Sequence, residues 1–267
     1  MPARSFITHS DMVDWPPDIF ADWIAGLEAR HLADLRLPEV TRALRALSSA
    51  YVERRHRRAG PRTRRTVDRT LDSAGKRAAF ALYYAPLHFL VTGLIVRSLG
   101  GATPTAIVDV GCGTGAGGAA WSLATGGVAS VTGVDRHPWA VEEARRTYRE
   151  LGLNGRARVG DVTRMSVSRP GSGVIAAYVL NELPEAARRR VEDQLLDAAE
   201  HGVRVLVIEP IARAISPWWD ATAARMQSAG GRADEWRFPV ELPPLLRLLD
   251  KAAGLDHREL AARSLSL

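Results

Sequence analysis

The chain has 267 residues, enough for one large domain or a main domain with a smaller appendage. Its 46% hydrophobic and 25% charged residues are ordinary for a soluble globular protein. The single cysteine, Cys112, excludes an internal disulfide and any multi-cysteine metal site and favours a reducing, cytoplasmic setting. The net charge of +6 is uneven: from Arg42 to Arg77 there are twelve Lys and Arg against three acids, a local excess larger than that of the whole chain.

The opening residues, MPARSFITHSDMVDWPPD, carry no apolar core and do not read as a signal peptide. PPDIFADWIAGLEARHL then starts a helix on proline, with apolar residues at helical spacing. A second helix, LPEVTRALRALSSAYVERRHRR, runs until Gly60 and Pro61 stop it. The basic stretch Arg54–Arg69 either attracts a polyanion such as RNA through counterion release or is a solvated helix and loop. A third helix, Ser73 to Leu99, is expected to kink at Pro86. Its apolar run, Ala78 to Val96, nearly reaches membrane-spanning length. Pro86, His88 and Gly93 interrupt that run, so it reads as a buried core helix, and no membrane partner is expected.

GGATPT separates this helical extension (residues 1–100) from a second unit (residues 101–267) in which short β runs alternate with helices. The strand candidates are AIVDV, SVTGVD, RARVGDV, GVIAAYVL and VRVLVIEP; helices are expected around Ala116–Ala124, Trp139–Leu151 and Glu185–His201. That alternation predicts an α/β, doubly wound, Rossmann-like parallel sheet. The tail, ELPPLLRLLDKAAGL and HRELAARSLSL, gives one more helix and one strand, so the far sheet edge is expected to be short.

The chemistry concentrates at DVGCGTGAGG, Asp109 to Gly118, where five of ten residues are glycine between a strand and a helix. A phosphate loop of the Walker type is excluded, because no lysine lies in or near it. A dinucleotide or S-adenosylmethionine (SAM) remains. Asp135, ending SVTGVD, suits the two hydroxyls of a ribose in either ligand. Asp109 would repel a pyrophosphate but suits the ammonium of a methionine moiety, and Asp161 in RVGDVT is placed to receive an adenine amino group. Three acids at the ends of three successive strands favour SAM, with a dinucleotide oxidoreductase as the outsider. Arg136 and Val162, beside Asp135 and Asp161, belong to the same candidate cofactor site.

These motifs resemble the class I SAM-dependent methyltransferases: VDVGCGTG matches their glycine motif, GVDRHPWAVEEA their ribose motif and ARVGDV their adenine motif. The resemblance implies that Gly111, Gly113 and Gly115 let the loop approach the cofactor and that Asp135 holds the ribose. More narrowly, RAAFALYYAPLHFLVTGLIVRSLGG, AAYVLNELPEAARR and VLVIEP resemble the methyltransferase-like family that assists small ribosomal subunit assembly. Members of that family commonly carry a cysteine cluster for an iron–sulfur centre; DEWRFPVELP has no cysteine, so no metal cluster is expected.

The acceptor side is less defined. Asn181 in YVLNELP resembles the start of an Asn-Pro-Pro-Tyr motif, but Glu182 and Leu183 replace the prolines, so amino-group methylation by that motif is not expected. Asn181 and Glu182 are the candidates to orient a nucleophile, against an ordinary capping turn before Pro184; Glu209 is equally ambiguous. Trp218 and Trp219 either roof the acceptor or cover core, and Trp139 either flanks adenine or packs on its helix. Tyr83, Tyr84 and His88 form a lid or simply pack, with Tyr84 the acceptor-side candidate. Three functions follow: a SAM-dependent methyltransferase acting on RNA, one acting on a small molecule, or a SAM-binding assembly factor without turnover.

Overall fold

The computed structural model describes residues 17–56, 71–213 and 216–267. The arginines from Arg57 to Arg69, which carry most of the predicted polyanion surface, lie outside the described residues.

Two N-terminal helices, α1 (Pro17–His31) and α2 (Leu37–His56), precede the long helix α3 (Ala74–Leu99). There follow β1 (Ala106–Val110), α4 (Ala116–Ala124), β2 (Ser130–Asp135), α5 (Pro138–Glu150), β3 (Gly155–Val159) and β4 (Gly173–Ala177). The chain ends with α6 (Glu185–Glu200), β5 (Arg204–Pro210), α7 (Trp219–Ser228), β6 (Arg232–Pro239), α8 (Pro244–Ala252) and β7 (Glu259–Ser266). The strands form one sheet in the order β3-β2-β1-β4-β5-β7-β6. Strands β1 to β5 are parallel, and β7 runs antiparallel to both β5 and β6. The strand order reverses between β1 and β4, opening a crevice at their carboxyl ends.

The sheet is therefore mixed, and its far edge is complete where the sequence predicts a shortened one. Strand β6 escapes the sequence pattern because an edge strand needs no apolar face on its open side. Its residues, RADEWRFP, bury only Phe238 fully. The indole N–H of Trp236 donates to Ser264 Oγ at 2.8 Å, fixing β6 on β7. Helix α7 also lies in a region where no helix is expected.

Helix α3 is long and apolar enough to cross a membrane, but 78% of its apolar window is buried inside the molecule. Val91, Leu94, Ile95 and Val96 pack against Ile107, Ile175, Leu206 and Ile208 of the central strands. A π turn over Phe80–Tyr84, closed by the Ala85 N–H on the Phe80 carbonyl, precedes Pro86. Proline has no N–H for the carbonyl four residues back and crowds it. The wider turn relieves that conflict where the sequence predicts a kink, and the helix continues.

Helices α1 and α2 share a core with α3, α4 and α5: Trp23, Leu27, Leu44 and Leu47 join Leu82, Phe89, Ala119 and Tyr148. Arg30 also ties α1 to α5 through Glu143 and Glu150, both at 2.6 Å. On the other face, α6 and α7 cover β4 and β5 through Val191, Leu195, Trp219 and Met226. The hydroxyl of buried Tyr83 donates to Asp250, which also accepts the His257 N–H at 2.8 Å, joining α3 to α8.

Candidate cofactor and acceptor site

The glycine motif leaves β1 as a loop held on both sides. Gly111 and Cys112 donate their N–H groups to the Val134 carbonyl at 2.8 and 3.1 Å, while Gly115 donates to the Cys112 carbonyl at 2.7 Å. Gly111 (φ +67°) and Gly113 (φ +51°) occupy the left-handed region that favours glycine. At Gly111 an added Cβ would lie 2.0 Å from a Val179 methyl, so the loop sits directly on the connection that follows β4.

Asp135 closes the loop on the other side. Its Oδ2 accepts the Gly113 N–H at 2.9 Å and its Oδ1 accepts the His137 N–H at 2.8 Å. Each carboxylate oxygen keeps a second lone pair for a hydroxyl donor. Asp109 is buried, and its Oδ2 accepts the Gly118 N–H at 2.7 Å near the start of α4. Burial pushes its carboxyl up to about 7, against the opposing pull of that hydrogen bond. Asp161 is exposed and caps the short turn Val162–Arg164, its Oδ1 accepting the N–H and O–H of Thr163 at 2.9 and 2.8 Å. Those bonds hold its carboxyl below the usual range.

Above these groups lies a cavity of about 870 Å³, within the usual range of small-molecule sites. Asp109, Gly111, Gly113, Asp135, Arg136, Asp161, Val162 and Glu182 line it, so most of the sequence-predicted residues converge on one space. The glycine cradle, the bare lone pairs of Asp135 and the volume fit SAM. Gly115 instead caps α4 beneath the loop, with φ +83°.

Besides Gly115, four predicted site residues do not line the cavity: Asn181, Tyr84, Trp218 and Trp219. Asn181 donates through its backbone N–H and its side chain to Glu209, at 3.2 and 2.5 Å. Glu209 is fully buried, and that burial pushes its carboxyl up to about 8. The Tyr84 hydroxyl pairs with Ser48 Oγ at 3.1 Å, toward α2. Trp218 and Trp219 lie against the α6–α7 core, with the guanidiniums of Arg188 and Arg263 over their rings at 5.0 and 4.2 Å. Trp139 likewise packs on the N-terminal core, 5.8 Å from the Arg77 guanidinium.

Another part of the wall comes from residues that sequence reasoning left unassigned, Leu71, Phe80, Tyr178 and Arg190, together with His88. Tyr178 follows the end of β4, which was the available signal; the side on which α3 presents Phe80 depends on the π turn and leaves no mark in the periodicity.

A family model described as a methyltransferase domain matches residues 107–202. That segment therefore carries a methyltransferase domain, for which SAM is the cofactor. Among solved structures, the mitomycin 7-O-methyltransferase MmcR is 16% identical, aligns over 97% of this chain and 75% of its own, and gives a TM-score of 0.50. The neocarzinostatin O-methyltransferase NcsB1 is 18% identical over 73% of this chain and 60% of its own, with a TM-score of 0.47. The candidate RNA methyltransferase PH1948 of Pyrococcus horikoshii is 17% identical over 67% of this chain and 82% of its own, with a TM-score of 0.45. At these identities the likeness is one of fold. No curated protein matches the chain in sequence.

Two predictions follow from this geometry. Asp135→Ala removes the ribose acceptor and frees the Gly113 N–H, so SAM affinity should drop by about 10- to 100-fold, as expected for one or two hydrogen bonds to a charged group; titration calorimetry measures it. Folding raises Glu209 from an ordinary 4.5 to about 8, so the folded protein keeps a proton that the unfolded chain loses in that interval. Its contribution to stability therefore falls as pH rises through that window. Glu209→Gln mimics the protonated acid. It should match the parent near pH 5 and exceed it above about pH 8 by on the order of 2–4 kcal/mol in denaturant unfolding.

Proposed function

We propose that this enzyme transfers the SAM methyl group to a heteroatom of RNA. The observation that carries the reading is the basic run of twelve Lys and Arg against three acids between Arg42 and Arg77. In sequence it includes Leu71, a residue of the cavity wall. Arg136 and Arg190, both exposed, border the same cavity and extend the positive character around its opening. A basic rim of this kind binds a phosphate backbone and leaves selection of the reacting group to the cavity.

Bound here, SAM supplies a methyl group activated by a cationic sulfur. The protein's part is alignment and exclusion of water, which account for much of the acceleration when the leaving group departs neutral. Asp135 orients the nucleoside end, and the glycine loop lets the backbone approach it closely. Asp109, near the loop, offers a carboxylate to an ammonium once it is deprotonated. The N-terminal helices act as a lid, since α3 supplies Phe80 and His88 to the acceptor side of the cavity.

A second reading, a small planar metabolite as acceptor, is favoured by the fold likeness to a mitomycin O-methyltransferase over 97% of this chain. Incubation with labelled SAM and either total RNA or a small-molecule extract separates the two. Label in nuclease-sensitive material supports RNA, label in the extract supports the metabolite, and SAM binding without label supports a factor that does not turn over. RNA affinity should also fall with salt at a logarithmic slope of about 0.7 per neutralised phosphate. Replacing Arg57, Arg58, Arg62 and Arg64 by glutamine should flatten that slope by up to about 3 and leave SAM affinity unchanged. A slope unaffected by the four replacements would remove the basic run from the RNA surface.

A further inference from the structure

Two costly backbone features meet at one wall of the cavity. One is the π turn Phe80–Tyr84 in α3. The other is Tyr178, a non-glycine residue held at φ +59° just beyond β4. Both kinds of irregularity tend to be retained where a site needs them. Here they bring His88 of α3 face to face with Tyr178, ring centroids 3.9 Å apart and planes 13° from parallel. Phe80 stands edge-on to the same imidazole at 6.3 Å, and Tyr84 lies tilted at 6.2 Å. The ring is thus fixed by aromatic contacts, and no hydrogen bond joins it to another described residue.

A histidine kept only for packing normally has its ring nitrogens satisfied. His88 instead belongs to the cavity wall, and burial alone pushes its imidazole down to about 3, so it stays neutral. A neutral imidazole carries one nitrogen able to accept a proton. The carboxylates of Asp109, Asp135 and Asp161 already accept hydrogen bonds from Gly118, from Gly113 and His137, and from Thr163 respectively. Glu182, also on the wall, is the rival base.

We propose that His88 is the base that faces the acceptor, its ring plane set by Tyr178, and that the acceptor is an N–H or O–H group on a flat ring. The proposal rests on the reading of this cavity as a methyl-transfer site. The acceptor lone pair forms the new bond to the methyl carbon as the carbon–sulfur bond breaks and its electron pair stays on sulfur. The acceptor proton passes to the accepting nitrogen of His88 and from there to solvent through the cavity mouth. On an O–H acceptor the methylated, still protonated oxygen is far more acidic than an imidazolium, so a weakly basic imidazole suffices there; on an N–H acceptor the proton must leave His88 for solvent promptly. The flat His88–Tyr178 stack would align a planar acceptor edge or face against it.

The test compares the parent enzyme with His88→Ala, His88→Gln and Glu182→Gln, using labelled SAM with total RNA and with a small-molecule extract. The His88 variants should bind S-adenosylhomocysteine as the parent does in calorimetry and lose transfer by about 10²- to 10⁴-fold. Added imidazole should restore transfer to His88→Ala and not to His88→Gln. Transfer that survives in both His88 variants, or that vanishes only in Glu182→Gln, overturns the proposal while the methyl-transfer reading stands. A parent enzyme that labels neither fraction overturns that reading, and the base with it. Independently of turnover, diethyl pyrocarbonate mapping by mass spectrometry should modify His88 in the cofactor-free protein. An unreactive His88 contradicts a nitrogen open to the cavity.

Discussion

The carboxylate of Asp135 is the constraint on which the site depends. A loop that turns through left-handed glycines points backbone N–H groups away from any helix or strand that could satisfy them. The Gly113 and His137 amides find their acceptors on the two oxygens of this one side chain, and those of Gly111 and Cys112 find the Val134 carbonyl one residue earlier. The end of β2 thereby fixes the loop that leaves β1. With that loop fixed, α4 starts at a defined point, and the crevice between β1 and β4 has a rigid floor. Asp135 is both the clasp of the loop and the ligand-facing acid, so structure and binding draw on the same two oxygens.

The opposite wall is set by packing. Helix α3 is held to the sheet by its apolar second half and to α8 by the Tyr83–Asp250 contact, so its irregular first half faces the cavity in one orientation. The fold tolerates two buried acids near this space. Asp109 and Glu209 both lose hydration, and both are offset by amide donors, from Gly118 in one case and from Asn181 in the other. Such pairs raise the carboxyl pKa because the hydrogen bonds compensate only part of the lost hydration. In Glu209 the result is a tether that holds the Leu180–Glu182 turn beside the cavity.

Much of this was legible in the sequence, for identifiable reasons. The glycine spacing, the acids ending β1 and β2, and Asp161 just beyond β3 are local signals, and AIVDV and VLVIEP are too rich in β-branched residues to read otherwise. Strand β6 was illegible because an edge position permits its charges. His88 was a lid candidate by its place in α3, but Phe80 and Tyr178 were illegible because they join it through a π turn and a left-handed backbone, neither of which has a periodic signature. Trp218 and Trp219 looked like a roof by chain position, yet they join the α6–α7 core beneath the Arg188 and Arg263 guanidiniums and do not line the cavity. The largest sequence feature, the basic run that includes Leu71, carries information about partners rather than about the fold.

The central claim is that this crevice receives SAM with its ribose on Asp135 and its reacting end toward the His88–Tyr178 wall. A crystal structure with S-adenosylhomocysteine tests it most directly. The account predicts both ribose hydroxyls within hydrogen-bonding distance of the Asp135 carboxylate and the sulfur on the side of the cavity shared with His88. A nucleoside bound away from Asp135, or a sulfur directed away from that wall, would contradict it.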